Sequence, residues 1–404
     1  MKHLTYIFIA GLMLVLVACD SSEQIAEVSP QDVHTPTSMS ETVSDTEVSP
    51  QDVHTPTSMP ETVSDTGAFM PAGKTIKGRQ FHSTLLLPDG LLLLVGGRGK
   101  GAGSKWPIVH TMVELFNPET NEWTQTGDNV EGRRSPIVSL LPDGTVLVAG
   151  GSDVNMDPIS STEIWNPSTG VWTPAASLNE LREQFAWVAL QDGRVIIIGG
   201  LEPFKFQRLT SIEIYDPSIG EWHDGANMSI ARTLHTATLL ADGRVLVVGG
   251  GKLDGPHLDS AEVYNPETNT WSSAGTMSIG RISHTTTVLA DGRVLVVGGK
   301  GKKTSAEIWN PESNDWTSAG NTEFPRSDHA ANLLNDGRVL VTGGTGAKAS
   351  TEIYDPSTNS WSSGADMIEW RYRHVATTLD DGRILITGGN GKDEVLAEAE
   401  LFVP

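Results

Sequence analysis

Cysteine is almost missing from this chain: the single Cys19 lies near the N-terminus, so residues 67–404 can form neither a disulfide nor a thiolate metal site. Basic runs are missing too. No stretch of five or more Lys or Arg occurs in a chain of formal charge -22, and this removes the electrostatic footprint of a nucleic-acid-binding protein. The longest apolar run, residues 4–17, is too short for a membrane span. Nucleophile motifs, phosphate loops, His-Glu-x-x-His patterns and sialidase-like Asp boxes are likewise absent, so no catalytic residue, metal ligand or cofactor is assigned. What the chain has is glycine at 42, proline at 22 and 11 tryptophans, a composition suited to many short strands joined by tight turns.

The N-terminus, residues 1–18, reads as an export signal: Lys2, then the apolar run, then Ala18 before Cys19. Leu16-Val17-Ala18-Cys19 resembles a bacterial lipobox. That resemblance implies a diacylglyceryl group on the Cys19 thiol, cleavage before Cys19, and an extracytoplasmic, lipid-anchored protein on the periplasmic face or cell surface. Residues 19–66 are expected to form a disordered acidic linker. Residues 27–46 (EVSPQDVHTPTSMSETVSDT) recur as 47–66 with only Ser40 replaced by Pro60, and residues 20–66 carry ten acids and no Lys or Arg. Such a tract cannot bury enough apolar surface to offset its chain entropy. His34 and His54 occupy equivalent copies of this duplication, which explains the pair without a metal.

From residue 67 onward the chain repeats. Asp-Gly followed by an apolar run ending in Gly-Gly occurs seven times, from LPDGLLLLVGG (87–97) through LADGRVLVVGG (240–250) to LDDGRILITGG (379–389). Asp-Gly between two apolar runs predicts a two-residue type I′ hairpin turn. Ten residues before each of these Asp stands an Arg: Arg79, Arg133, Arg182, Arg232, Arg281, Arg326 and Arg371. Ten residues before the last six of those stands a Trp: Trp123, Trp172, Trp222, Trp271, Trp316 and Trp361. Nine residues before each Trp is a Glu, opening segments such as EVYNPETNTW (262–271), where an Asn/Asp-Pro turn joins a third strand to a fourth. Only the interval from Gly-Gly to Glu varies, from 9 to 18 residues, as for one free loop on a fixed four-stranded unit.

Arg-x-x-His, Asp-Gly-Arg-Val-Leu-Val-x-Gly-Gly, Glu-Ile-Tyr-Asp-Pro and the closing Trp resemble the kelch repeat over residues 69–404. The resemblance implies an all-β, seven-bladed β-propeller whose four-stranded blades surround a central channel. Pro136 and Phe185 stand where blades 2 and 3 would carry the motif His. The last unit ends at AELFVP after its third strand, and FMPAGKTIKGR (69–79) aligns without a gap on WSSAGTMSIGR (271–281). The N-terminal strand is therefore expected to complete the last blade and remove an open edge.

Within a blade, the Asp-Gly and Asn/Asp-Pro turns are expected on one face of the disc, and the variable loops with the Arg-containing connections on the other. Nine of eleven propeller lysines fall in the variable loops: Lys100, Lys105, Lys205, Lys252, Lys300, Lys302, Lys303, Lys348 and Lys392, joined by Arg98 and Arg208. With Trp106 as a stacking surface for a sugar ring, these form the expected ligand site. The Arg and strand Glu of each repeat are expected to make a structural ion pair, the repeated His a packing contact, and the six Trp a buried core. The functional expectation is a recognition module that presents the propeller to a protein or glycan ligand, anionic by the loop charges. The alternative is a carbohydrate-active enzyme resembling sugar-acid epimerases or mutarotases. The resemblance also extends to copper-radical oxidases of the galactose oxidase type, whose cofactor needs a tyrosine cross-linked to a cysteine. Residues 67–404 contain no cysteine.

Overall fold

The structure is a computed structural model that describes residues 66–100, 107–129, 131–251, 256–301 and 303–404. Among these residues there is no helix, and each repeat folds as an antiparallel four-stranded sheet. In blade 4 the inner strand Thr236–Leu239 pairs with Val245–Val248, which pairs with Ser260–Asn265 and then Thr270–Thr276. The same order holds in seven blades. Blade 1 adds a short strand, Pro107–Val109, against the extended second strand Leu92–Lys100.

The second strands read as continuous apolar runs because both of their faces are covered by neighbouring blades. Val245, Leu246, Val247 and Val248 are all fully buried, as are Val294, Leu295, Val296 and Val297. The core is accordingly divided into seven clusters, one at each blade interface. One joins blades 3 and 4 through Ile196, Ile198, Val245 and Val247. Another joins blades 7 and 1 through Leu385, Leu401, Leu92 and Leu94.

The shared blade forms as expected. Ala68–Lys74 pairs antiparallel with Glu398–Val403, with Phe69 opposite Phe402 and the two rings 5.1 Å apart. Lys74 Nζ lies 2.9 Å from Glu398 Oε1. The closure also reaches blade 1, where Trp123 Nε1 donates to the Ala72 carbonyl at 3.0 Å.

The Asp-Gly turns differ from the expected type I′ geometry. In blade 4 the Gly243 N–H donates to the Leu240 carbonyl and the Leu240 N–H to the Arg244 carbonyl, which marks a three-residue loop whose last residue is left-handed. Only the glycine has positive φ, 81–89° across the seven turns. The Asp keeps negative φ and its Oδ1 accepts the N–H two residues on, as Asp242 does from Arg244 at 3.1 Å. One residue more in the loop relieves the Asp of the positive φ that a two-residue turn would demand of it.

The motif tryptophans also differ in part from the expected core. Trp222 is buried, whereas the other five are half-buried and use their indole N–H to tie one blade to the next. Trp271 donates to the Ala226 carbonyl at 2.7 Å and Trp316 to the Ala274 carbonyl at 2.7 Å.

Candidate ligand-binding face

The face that carries the variable loops is framed by the seven motif arginines. Each is fully or almost fully buried and donates through Nη1 to the carbonyl of the first motif glycine in its own blade, at 2.7–3.0 Å. Each also pairs with the strand Glu of that blade. Arg182 Nη2 reaches Glu213 Oε1 at 2.8 Å, Arg371 Nη2 reaches Glu400 Oε1 at 2.6 Å, and Arg79 pairs likewise with Glu114. Burial lowers Arg79, Arg232 and Arg326 from their usual range, and their Glu partners oppose that shift. Burial likewise raises Glu114, opposed by Arg79. These seven pairs are buried structural ties.

The repeated histidines are equally occupied by the fold. His82, His284, His329 and His374 place Nε2 2.8–3.1 Å from Thr387, Thr236, Thr285 and Thr342, each in the preceding blade. Burial, followed by the adjoining motif Arg, pushes these four and His235 down to about 3. The rings are therefore neutral packing elements at physiological pH. Among the described residues no group of three or more His, Cys, Asp or Glu side chains converges.

Two residues beyond each motif Arg the backbone turns left-handed, at Phe81, Ser135, Gln184, Leu234, Ser283, Asp328 and Arg373, with φ of 51–57°. Five of the links between them are direct: Ser135, Leu234, Ser283, Asp328 and Arg373 each donate N–H to the carbonyl of the preceding member, at 2.6–3.4 Å. The result is a backbone collar around the channel mouth. Held φ values of this kind in non-glycine residues are concentrated where the surrounding structure over-determines them.

The expected loop residues that the structure describes are distributed over blades 1, 3, 5, 6 and 7. Lys100, Lys205, Lys300, Lys348 and Lys392 are exposed, and Lys303 is half-buried with its Nζ donating to the Lys300 carbonyl at 2.7 Å. Lys205 sits on a two-stranded finger of blade 3, Leu201–Glu202 against Gln207–Arg208, with its Nζ 3.7 Å from Glu202. Arg208 is half-buried on the return strand. Lys105, Trp106, Lys252 and Lys302 lie outside the described residues, as does Cys19.

Apolar side chains on these loops, absent from the sequence-based expectation, are as prominent as the cations. Phe204 and Phe206 on the blade 3 finger are 62% and 79% exposed, and Val154 and Met156 in the loop of the adjacent blade 2 are 48% and 45% exposed. Their signal in the sequence is a large apolar residue in a variable loop.

The opposite face carries a repeated ion pair in five of its seven Asp-Gly turns. Arg194, Arg244, Arg293, Arg338 and Arg383 each pair with the Asp of their own turn at 2.6–2.7 Å. Hydrogen bonding from Arg244 and Arg293 holds Asp242 and Asp291 below the usual carboxylate range. Arg383 also donates to the Pro118 carbonyl of the neighbouring blade, which places both turn types on that face. A shallow cleft at the outer edge, between blades 4 and 5, is lined by Thr276, Ser278, Trp316 and Asn321. The acid it borders, Glu307, is already paired with Arg281.

The comparisons agree with this architecture. In the structural comparison the chain is similar to a novel fungal alcohol oxidase of the AA5 family, in complex with copper, at 20% identity and a TM-score of 0.65, covering 84% of this chain and 77% of that one. That likeness concerns the fold. No curated protein matches the chain. Residues 82–299 match the KLHDC2/KLHL20/DRC7 Kelch-repeats domain and residues 325–368 match the Kelch motif. The chain belongs to the Kelch-repeat family.

Proposed function

We propose that this protein is a membrane-anchored, extracytoplasmic recognition module whose variable-loop face receives a protein or glycan partner bearing negative charge. Membership in the Kelch family supports a protein-binding module. The observation that carries the choice of face is the pair of solvent-exposed aromatics, Phe204 and Phe206, on a short finger that also carries the exposed Lys205. Exposed aromatics cost solvation in a free monomer, and such residues supply the anchors of protein interfaces. Cations around them steer an acidic partner. The lipobox-like residues 16–19 support the anchor and the outward location.

A peptide and glycan array probed with the full chain tests the reading. A partner selected there is expected to lose at least tenfold in affinity with Phe204→Ser and Phe206→Ser together. Arg244→Gln, Arg293→Gln and Arg338→Gln, on the opposite face, are expected to leave the affinity unchanged. The reverse pattern would move the partner to the other face. Cys19→Ser is expected to release the protein from the membrane fraction, and an unchanged acyl mass in that variant would refute the anchor.

A further inference from the structure

The outer strands of the blades are unequal. Ala68–Lys74 in blade 7, Thr270–Thr276 in blade 4 and Asp315–Asn321 in blade 5 are each seven residues long, whereas those of the other blades have four or five. Of the three, only those of blades 4 and 5 are neighbours, so only there do two long outer strands stand side by side. Each carries a bulge, with Ala274-Gly275 opposite the single Ala261 and Ala319-Gly320 opposite the single Ala306. A bulge bends its strand and re-aims the residues beside it. The residues just beyond the two bulges, Thr276 and Asn321, both line the cleft between the blades, which encloses about 440 Å³. That volume falls in the range of small-molecule sites.

The indole of Trp316 lines this cleft and is fixed in place. It is half-buried, and its Nε1 donates to the Ala274 carbonyl at the bulge of the neighbouring blade, at 2.7 Å. Gly275 keeps the edge of the ring uncovered. A Cβ at that position would lie 3.4 Å from Trp316 Cδ1, and the φ of 71° there disfavours any side chain.

Around the indole stand groups that both give and accept hydrogen bonds. The hydroxyls of Thr276 and Ser278 and the amide of Asn321 belong to exposed residues and make no hydrogen bond among the described residues. Ser318 Oγ accepts the Gly320 N–H at 3.2 Å and keeps its own proton to donate. The one charged side chain in the lining, Glu307, is committed to the fold: Oε1 accepts from Arg281 at 2.8 Å and Oε2 from the Ser278 N–H at 2.7 Å. A charged ligand entering the cleft would lose water without gaining a free counter-charge.

We infer that the cleft between blades 4 and 5 is a binding site for a neutral sugar ring, with Trp316 as its stacking surface and Thr276, Ser278, Ser318 and Asn321 as its polar rim. A pyranose has an apolar face of C–H groups and a girdle of hydroxyls, each of which donates and accepts. Ser, Thr and Asn side chains share that twofold character, whereas a Lys or an ionised Asp offers only half of it. The indole takes the apolar face. The site lies at the outer edge of the disc and does not depend on the reading of the variable-loop face.

The test is saturation-transfer NMR of the full chain with methyl β-D-galactopyranoside, methyl β-D-glucopyranoside and methyl α-D-mannopyranoside, and with glycerol as the control for unspecific contact. At least one glycoside is expected to receive saturation, strongest at the C–H protons of one ring face, and glycerol none. Thr276→Val with Asn321→Leu is expected to weaken that glycoside at least fivefold at an unchanged melting temperature. Asp366→Leu, five residues after Trp361 as Asn321 is after Trp316, is expected to leave the affinity unchanged, and so is added salt, since a neutral ligand has no charge to screen. No saturation of any of the three glycosides overturns the site, as does equal affinity in the Thr276→Val, Asn321→Leu protein. Loss of the glycoside with Phe204→Ser and Phe206→Ser, while the cleft variant binds normally, moves the sugar to the variable-loop face and overturns the cleft alone. Glycoside binding that survives when no partner is captured on the variable-loop face keeps the cleft and overturns the wider reading.

Discussion

Arg281 Nη2 donates to Glu307 Oε1 at 2.8 Å while the other oxygen of that carboxylate accepts the Ser278 N–H at 2.7 Å. Arg281 and Ser278 belong to the connection that leaves blade 4, and Glu307 to the third strand of blade 5. The pair therefore pins the chain at the point where one blade hands over to the next. The same arrangement recurs with Arg232, Glu262 and Ser229.

Glu307→Gln leaves the Arg281 guanidinium buried without its counter-charge, and breaking a buried pair on one side costs about 3–5 kcal/mol. The expected outcome is a loss of that size in denaturant unfolding. Arg281→Met with Glu307→Leu removes both charges and is expected to lose less than the single Glu307→Gln change. A double variant that loses more than the single would show that the remaining hydrogen bonds of Arg281, to the Gly298 and Ser305 carbonyls, matter more than the charge pair.

The buried histidines give a pH dependence with a definite sign. Five of them titrate at about 3 in the folded chain and near the ordinary ~6.5 when unfolded. Between those values the unfolded state binds more protons, so stability rises with pH through the window and falls as pH drops below ~6.5. Each neutral ring contributes up to about 1.4 kcal/mol per pH unit. Melting temperature is expected to fall from pH 6.5 to 5, where most carboxylates are still ionised. His284→Gln with His329→Gln is expected to flatten that slope, and an unchanged slope would remove the histidines as its source.

The repeat was legible because its anchors answer to strand pairing. Asp-Gly, Gly-Gly, Glu and Trp recur at spacings set by a blade, so the seven-bladed ring and its closure by the N-terminal strand could be derived from them, while the pairing of Phe69 with Phe402 came from the structure. The geometry of the Asp-Gly turn could not, because Asp-Gly suits both a two-residue turn and the three-residue loop seen at Leu240 to Arg244. The collar residues were hidden for a different reason. Phe81, Ser135, Gln184, Leu234, Ser283, Asp328 and Arg373 share a left-handed backbone but no residue type, since ring geometry imposes the conformation. The loop lysines stood out as a charge pattern, whereas the cleft at Trp316 depends on the long outer strands of blades 4 and 5 standing side by side.

Ring closure is expected to dominate the stability of the N-terminal part of the chain. Removing residues 67–74 uncovers Leu401 and Phe402, which are fully buried, deprives Glu398 of Lys74 and leaves Trp123 without the Ala72 carbonyl. Leaving a large apolar side chain exposed instead of buried costs about 1.5–3 kcal/mol. Melting of this deletion is to be compared with that of a chain lacking residues 20–60. Equal melting temperatures for the two would contradict the role assigned to the shared blade.

Charge reversal on the loops separates steering from docking. Lys100, Lys300 and Lys392 are exposed, and their side chains make no hydrogen bond or ion pair among the described residues, so reversing all three to Glu is expected to change stability by about 0.5 kcal/mol per site or less. Association with poly-L-glutamate, used as an anionic probe, is expected to slow in this variant. In the unaltered protein the association should itself slow as salt rises, since exposed charges more than ~10 Å apart are screened at about 0.1 M ionic strength. Dissociation is expected to change far less, because rim charges act mainly on the encounter. If the reversal instead speeds dissociation while the salt dependence persists, these lysines contact the anion directly, and steering belongs to other cations of that face.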